Sequence, residues 1–313
     1  MKRLILLLAL SVSVFGCSCP TSFAQDPGKL NLHSKSMKAS RYPVFFVTDR
    51  QIKSTPKGME FSNNRSTELD YGCYQLSTAT AEKVNPSDIT LYGSKDTFYD
   101  NLHKTGATKV AVFVHGYRKD FEGSLEFAQR IAAELEMPVV LFAWPSKNKY
   151  SAYMIDECTA EWSSHQFASM LKDMNDRIGN QNISLISHSL GARIVSWSLR
   201  ILAADHALDR PFGCSLFFSP DIDRDTFLAE SGFLKQSCER VKVYLDAHDT
   251  RIWLSKMLHG SPRLGTMDGN SENETLSSMF QFDTSMPSHH IPFPTLSAAL
   301  DNPVEPAIPT VRN

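Results

Sequence analysis

Short runs of consecutive apolar residues alternate with segments of helical periodicity through most of this sequence. The clearest runs are 109–116 (KVAVFVHG), 138–145 (PVVLFAWP), 182–187 (NISLIS) and 214–220 (CSLFFSP). Strands that are apolar at every position lie in a sheet covered on both faces, and their alternation with helices makes that sheet mostly parallel. The sequence therefore predicts an α/β protein with a doubly wound sheet.

The remaining elements fit the same architecture. Helices are predicted at 124–135, 156–179 and 190–205, and further strands at 42–49, 70–78, 240–249 and 279–285. No repeat or second boundary interrupts residues 41–300, so we expect one domain there. Only 148–158 and 259–278 are candidates to cover a site, so no large cap domain is expected.

The first 24 residues have the pattern of an export signal. Lys2 and Arg3 precede an apolar run, 4–15, that is too short to span a bilayer comfortably. Two processing routes stay open, since 14–17 (VFGC) resembles a lipoprotein box with Cys17 as the lipidated residue, whereas 22–24 (SFA) suits cleavage after Ala24. Either route predicts a protein of the cell envelope or a secreted one.

The segments that flank the domain are expected to be loose, and the overall charge bears on which classes of partner are expected. Residues 25–40 are expected to form a flexible tether and 301–313 a loose tail. A formal net charge of -2 over 313 residues gives no reason to expect nucleic acid. Contact with a membrane is expected only through a lipid anchor at Cys17, and the oligomeric state is left open.

The cysteines allow two interpretations. Four of the six lie outside the export segment, at 73, 158, 214 and 238, and their spacing fits no metal motif. In an exported protein they could form two disulfides, or they could be four unpaired apolar thiols. No metal site is predicted.

A serine stands at the turn between a predicted strand and a predicted helix, in 184–195 (SLISHSLGARIV). Ser189 is followed by a helix N-terminus, and its neighbours two positions away are Ser187 and Gly191. Such a turn exposes the hydroxyl and directs backbone N–H groups to the same space, which suits a nucleophile. The alternative is that Ser189 only caps the helix. His188 is given a shaping role rather than that of a base.

A nucleophilic serine needs a base and an acid that orients the base. In a sheet of this type the chain order is serine, acid, histidine. Asp249, in a loop after the strand at 240–249, is the preferred acid. Its rivals are Asp221 first, then Asp223 and Asp246, and the preferred base is His290 rather than its neighbour His289.

A second backbone donor for an oxyanion is expected after the strand that ends in His115 and Gly116. Gly116 allows the backbone to approach a substrate closely, so His115 and Gly116 are predicted to contact it. The N–H groups of Tyr117 and Leu190 are predicted to form the oxyanion hole.

Ten segments together resemble one known family. They are VFFVTDR, LDYGCYQLS, VFVHGY, VVLFAWPS, AEWSSHQFASML, LISHSLGARIV, SPDID, VYLDAHDTRIWLS, PRLG and SHHIPF, between about residues 42 and 295. The set is similar to the bacterial α/β-hydrolase family catalogued as domain of unknown function 900. The resemblance implies an α/β-hydrolase fold with a serine triad.

The resemblance also bears on the acid and the base. The family's Ser-x-x-Asp pattern falls on 246–249, which supports Asp249, while Asp246 stands where the family more often has serine. Its late Gly-His-Ser-Tyr-Phe pattern falls on 289–293, which supports His290, although Ile291 and Pro292 depart from it. The family supplies no defined substrate.

The sequence thus predicts an exported serine hydrolase that acts on a small-molecule carboxylic ester and needs no cofactor. An acyltransferase or peptidase with the same triad is one alternative, and a catalytically degenerate binding or envelope scaffold is another. Tyr150, Tyr153 and Met154 could line an acyl pocket, but core packing against the long helix is the preferred interpretation.

Overall fold

The computed structural model describes residues 40–56, 58–75, 84–246, 249–265, 280–283, 291–293 and 296–301. The strands in these ranges are β1 (Val44–Thr55), β2 (Gly58–Tyr74), β3 (Ile89–Tyr92), β4 (Val110–Val114), β5 (Val139–Phe142), β6 (Ile183–His188), β7 (Cys214–Phe218), β8 (Val241–Tyr244) and β9 (Gln281–Asp283). They form one sheet in the order β3-β2-β1-β5-β4-β6-β7-β8-β9.

The sheet is parallel from β1 through β9 along this order. Strand β1 pairs in parallel with β5, and the pairs β4–β5, β4–β6, β6–β7, β7–β8 and β8–β9 are parallel as well. The pairs β1–β2 and β2–β3 are antiparallel, so β2 runs against the other strands described here. The prediction of a mostly parallel sheet is confirmed.

Helices cover both faces of the sheet. They are α1 (Lys95–His103), α2 (Phe121–Leu135), α3 (Tyr153–Ile178), α4 (Gly191–Ala204), α5 (Arg224–Ala229), α6 (Ser231–Ser237), α7 (Thr250–His259) and α8 (Leu296–Asp301). Apolar residues of α1, α3, α4 and α6 pack in one core layer, whereas α2 and α8 contribute to a second layer. The arrangement is therefore doubly wound.

The two layers explain why the central strands are apolar throughout. All five residues of β4 are buried. Val110, Val112 and Val114 belong to the first layer, and Ala111 and Phe113 to the second. Because successive side chains of a strand point to opposite faces, a strand between two helical layers must be apolar at every position.

The structure extends several predicted elements and adds others. The strands predicted at 42–49 and 70–78 are the buried ends of a longer hairpin, β1 and β2. These strands pair antiparallel from Val44↔Tyr74 to Thr55↔Gly58, with two register shifts between Thr48 and Ile52. The distal residues of this hairpin are mostly exposed and polar, so they lack the apolar pattern of a buried strand. Strand β3 and helices α1 and α5–α8 were not predicted.

Three further observations, on the cysteines, on metal sites and on membrane spans, hold for the described residues. Cys73, Cys158, Cys214 and Cys238 are unpaired, so the disulfide alternative is wrong; Cys158 is exposed, and Cys214 and Cys238 are buried. No group of three or more His, Cys, Asp or Glu side chains in these ranges could hold a metal ion. Among the helices described, none is long and apolar enough to cross a membrane.

Candidate active site

Ser189 occupies a left-handed turn between β6 and α4, with a φ angle of 51°. Its N–H donates to the carbonyl of Phe218 at 3.0 Å, and its own carbonyl accepts from the amides of Ala192 at 3.0 Å and Asp221 at 3.2 Å. The turn is thus fixed by the end of β7 and by the first turn of α4. The N-cap position of α4 is Leu190, and no side chain caps that end, so Ser189 does not cap the helix.

Two glycines let the loop after β4 contact this turn. A Cβ atom on Gly116 would lie 2.8 Å from Nδ1 of His188 and 3.0 Å from Cβ of Ser189. A Cβ atom on Gly191 would lie 2.5 Å from the carbonyl oxygen of His115. The contact at 191 is with backbone, so only glycine fits there, whereas a Cβ atom at 116 would force His188 and Ser189 to shift. The loop predicted to supply an oxyanion donor therefore lies directly against Ser189.

The two amides predicted to form an oxyanion hole have no protein acceptor among the described residues. Neither the N–H of Tyr117 nor that of Leu190 donates a hydrogen bond to that part of the chain. Buried or half-buried amides are normally paired with protein or water. Two unengaged N–H groups flanking a serine can serve a ligand oxygen instead.

His115 and Trp144 bind each other at the ends of adjacent strands. Their rings stack with centroids 5.1 Å apart, and Nε1 of Trp144 donates to the carbonyl of His115 at 2.8 Å. Nδ1 of His115 lies 2.8 Å from the carbonyl of Gly116, and Nε2 lies 3.1 Å from that of Trp144. Burial, and next the charge of Arg50, lowers the pKa of His115 to about 3, so the ring is neutral at pH 7. These contacts give His115 a role in positioning the loop, and its contact with a substrate stays a prediction.

Arg50, which sequence reasoning did not select, ties the same loop to two strands. It is fully buried, and its Nε donates to the carbonyl of Ala143 at 3.1 Å. Its Nη2 donates to the carbonyls of Trp144 at 2.6 Å and Lys119 at 3.0 Å. Burial lowers the pKa of Arg50 to about 10, so it is charged at pH 7. In the sequence, only the position of Arg50 in VFFVTDR, one of the ten segments that carry the family resemblance, could have pointed to it.

Ser146 fixes the far end of the loop. Its hydroxyl accepts from the amides of Arg118 at 2.8 Å and Lys119 at 3.3 Å, and donates to Oδ2 of Asp156 at 2.6 Å. Arg118 has a φ angle of 59°, which is unfavourable for a residue with a side chain. Hydrogen bonds from the segment after β5 therefore hold the loop in this unfavourable conformation.

A pocket of about 520 Å³ opens above Ser189. Its lining residues are Phe113, His115, Gly116, Tyr117, Arg118, Lys119, Phe127, Tyr150, Tyr153, His188, Ser189, Asp221, Arg251, Ile252, Leu254, Ser255 and Leu258. Tyr150 and Tyr153 belong to this lining, and Tyr150 and Met154 are exposed. The expectation that these three side chains pack in the core is therefore wrong for Tyr150 and Met154.

Asp221 lines the pocket, but its carboxylate is already engaged. Oδ1 accepts from Oγ of Ser255 at 2.7 Å and from Nε of Arg263 at 3.0 Å, and Oδ2 accepts from the hydroxyl of Tyr153. Burial, and next the charge of Asp221, raises the pKa of Tyr153. This set of contacts joins α3, α7 and the turn after β7.

The network continues from Arg263 to the buried side of α7. Oε1 of Glu157 lies 2.7 Å from Nε2 of His259, 2.5 Å from Nη2 of Arg193 and 3.7 Å from Nη2 of Arg263. Both Ser255 and His259 lie on this side of α7, one turn apart. Charged and polar side chains thus anchor α7 to α3.

Asp249 is the N-cap of α7, and this precise role was not predicted from the sequence. Its Oδ1 accepts from the amides of Arg251 at 3.0 Å and Ile252 at 3.1 Å. The side chain is buried, and the two residues that it caps line the pocket. Among its rivals, Asp223 caps α5 through the amide of Thr226 at 2.9 Å.

His289 and His290 lie outside the described residues. Ile291, which follows them, is buried in the second core layer. The ring of Phe293 lies 5.2 Å from that of Phe127, which lines the pocket. The described residues just after the two histidines therefore pack close to the pocket.

The family of the chain follows from comparison with known families. A family model described as "Alpha/beta hydrolase of unknown function (DUF900)" matches residues 92–284, which include β4 through β9. The chain belongs to this family. The α/β-hydrolase fold predicted from the sequence is thereby confirmed for this member of DUF900. No curated protein sequence matches the chain.

Solved structures similar to this DUF900 protein share little sequence with it. The ydeN gene product from B. subtilis is 14% identical, with a TM-score of 0.37 over 61% of this chain and 96% of that chain. Arabidopsis thaliana SOBER1 is 10% identical, with a TM-score of 0.38 over 61% and 95%. The Francisella virulence factor BioJ is 10% identical, with a TM-score of 0.37 over 80% and 81%. Similarities at this level carry no argument about substrate.

Proposed function

We propose that this protein is a serine hydrolase that cleaves carboxylic esters, with Ser189 as nucleophile, His290 as base and Asp249 as the acid that orients the base. The observation that carries the proposal is the left-handed turn at Ser189, packed against Gly116 at the floor of a pocket. A serine in such a turn presents its hydroxyl beside free backbone amides, as nucleophilic serines require.

The reaction would proceed through an acyl-enzyme. Oγ of Ser189 attacks the ester carbonyl carbon while His290 accepts the hydroxyl proton, and the N–H groups of Tyr117 and Leu190 bind the oxyanion. When the tetrahedral intermediate collapses, the C–O bond to the alcohol breaks and His290 returns the proton to the leaving oxygen. Water then attacks the acyl-enzyme by the same route and releases the acid and Ser189.

A fluorophosphonate probe tests the proposal directly. The probe should label the wild-type protein and should not label Ser189→Ala, because the variant lacks the attacking oxygen. Ser187→Ala is the matched control, since Ser187 lies two residues away on β6, buried, with its hydroxyl 3.3 Å from the carbonyl of Leu216. Equal labelling of wild type and Ser189→Ala, or labelling of neither, would remove Ser189 as nucleophile and favour a non-catalytic scaffold.

We also propose that the hydrolase is exported through its N-terminal segment. The support is the basic pair at Lys2 and Arg3 followed by the apolar run 4–15. Mass spectrometry of the mature N-terminus in a bacterial host should find either a lipidated Cys17 or a chain that starts after Ala24. A cytoplasmic protein that retains Met1 would count against export.

A further inference from the structure

Seven large apolar side chains are exposed at 150–155 and on α7, and three of the seven line the pocket. They are Tyr150, Met154, Ile155, Trp253, Leu254, Met257 and Leu258, here called the apolar rim, with exposed fractions from 52% to 80%. Single exposed apolar residues are ordinary, but a group of large ones marks an interaction surface.

Helix α7 carries four of these side chains because its inward side holds polar residues, with Ile252 as the one buried apolar residue. Ser255 and His259 on the buried side bind Asp221 and Glu157, while Trp253 and Met257 are exposed on the opposite side. A surface helix normally buries its apolar face instead. Because the buried network fixes the rotation of α7, the outward position of its apolar residues is part of the fold.

The apolar rim is continuous with the candidate active site. Tyr150, Leu254 and Leu258 belong both to the rim and to the lining of the pocket above Ser189. A surface that docks on the rim would therefore meet the pocket mouth directly. A substrate could pass from that surface to the serine without crossing water.

Three cations line the same pocket. Arg118, Lys119 and Arg251 all face it, and none of them forms an ion pair with a carboxylate of the described residues. The guanidinium of Arg118 lies 3.7 Å from the ring centre of Tyr150, which joins the charged lining to the rim. The acid in the pocket, Asp221, is bound to Arg263. The pocket therefore offers three positive charges next to apolar surface, and the carboxylates of Glu126 and Asp120 offset part of the charge of Lys119.

We propose that the apolar rim docks on an anionic phospholipid bilayer and that the enzyme takes an acyl ester of an anionic amphiphile from that surface. The substrate part of this inference rests on the proposed function of Ser189. Apolar side chains inserted at the headgroup boundary and cations beside them are the two components of interfacial binding.

Tryptophan fluorescence measures the docking. Trp253 is the most exposed of the four tryptophans, since Trp144 is buried and Trp162 and Trp197 are half-buried. The full chain carries Cys17→Ala in every form, so that no lipid anchor contributes. Vesicles that contain phosphatidylglycerol should shift the emission to the blue, and binding should be at least about tenfold tighter than to phosphatidylcholine alone.

Matched variants separate the two components. Met257→Ser should weaken vesicle binding on the order of tenfold, because one large apolar side chain is lost from the rim. Phe233→Ser is the control, because Phe233 is also an exposed apolar residue but lies on α6 outside the rim. Arg251→Ala should reduce the preference for anionic vesicles about fivefold and leave binding to neutral vesicles unchanged.

The outcomes distinguish docking from hydrolysis. Wild-type protein that binds neither kind of vesicle, yet reacts with the fluorophosphonate in solution, would overturn the docking and leave the hydrolase. Vesicle binding by a protein that the probe does not label would support the docking and overturn the substrate assignment. A dimer in vesicle-free solution that Met257→Ser dissociates would assign the rim to a second copy and overturn the proposal.

Discussion

Two buried aspartates follow neighbouring strands of the sheet, but different kinds of donor hold them. Asp221, after β7, binds the side chains of Tyr153, Ser255 and Arg263. Asp249, after β8, accepts from two backbone amides at the N-terminus of α7. Arg263 compensates the charge of Asp221, whereas the two amides that Asp249 caps are neutral donors at a helix N-terminus, where a carboxylate is favoured.

The comparison teaches that burial and position after a strand do not by themselves identify a catalytic acid. Both aspartates meet these two criteria, and Asp221 is the one that lines the pocket. The contacts named above differ in kind, since Asp221 accepts from a guanidinium and Asp249 accepts from helix amides. We therefore assign Asp221 to the structure of α7 and keep Asp249 as the proposed acid.

The largest expected effect is on activity, in Asp249→Asn. Asparagine caps a helix as well as aspartate does, so the fold should be retained. It cannot stabilise a protonated histidine, so kcat for a soluble ester should fall about 10⁴-fold. Thermal unfolding measured beside the kinetics should show little change. Full activity in Asp249→Asn would contradict its role as the catalytic acid and make Asp221 the candidate for that role.

The next effect is on stability, in Asp221→Asn. This variant removes the carboxylate charge that lies 3.0 Å from Nε of the buried Arg263. Removing one partner of a buried ion pair costs about 3 kcal/mol, so urea unfolding should show a loss of that size. Below its own melting temperature the variant should still react with the fluorophosphonate. A stable but inactive Asp221→Asn would contradict a purely structural role.

A smaller effect is expected from Arg50→Lys, because Arg50 is a buried charge bound to backbone carbonyls. Lysine keeps the charge but cannot reach the carbonyls of Ala143, Trp144 and Lys119 together. The loop that carries Tyr117 should shift, and kcat should fall about 10- to 100-fold with KM changing less. An equal change in kcat and stability for Arg50→Lys and for a distant control, Lys95→Arg, would argue against positioning.

Per pH unit, the smallest effect is a pH dependence of stability, which adds a third buried acid, Asp49, to the comparison. Burial raises the pKa of Asp49 from 3.8 to about 7, and burial lowers that of His115 from 6.5 to about 3. Between pH 3.8 and 6.5 the folded state therefore holds a proton on Asp49 that the unfolded state has lost. The unfolded state holds a proton on His115 that the folded state lacks.

The protonation of Asp49 and that of His115 change the free energy of unfolding in opposite directions. As the pH falls through this window, Asp49 increases the free energy of unfolding and His115 decreases it, each by about 1.4 kcal/mol per pH unit. Compared with wild type, His115→Asn should therefore gain stability on acidification, and Asp49→Asn should lose it. Urea unfolding at pH 4.5 and 6.5 measures both slopes. Parallel slopes in all three proteins would show that neither group is perturbed as described.

The sheet and the serine turn could be predicted because both depend on local sequence. Strand β4 is apolar at each position because helices cover both its faces, and this pattern is visible without any partner. The turn at Ser189 is bounded by a strand and a helix that each have a clear period. Gly191 is in the pattern as well, and its close contact with the carbonyl of His115 explains why.

The supports of the site could not be predicted, because their partners are distant in sequence. Arg50 lies 93 and 94 positions from the carbonyls of Ala143 and Trp144. The polar side of α7 is likewise buried only because Asp221 and Glu157 meet it from other elements. Without those partners, the apolar residues of 250–259 predict a helix facing the opposite way, or no helix.

The left-handed backbone at Ser189 has a consequence for the stability of the protein as a whole. Glycine adopts a φ angle of 51° without penalty, whereas a residue with a Cβ atom is strained there by about 1 kcal/mol. Ser189→Gly should therefore melt at a higher temperature than the natural chain while losing its nucleophile. If Ser189 is the nucleophile, the variant with the higher melting temperature is the inactive one. Selection for thermal stability alone would then remove the activity.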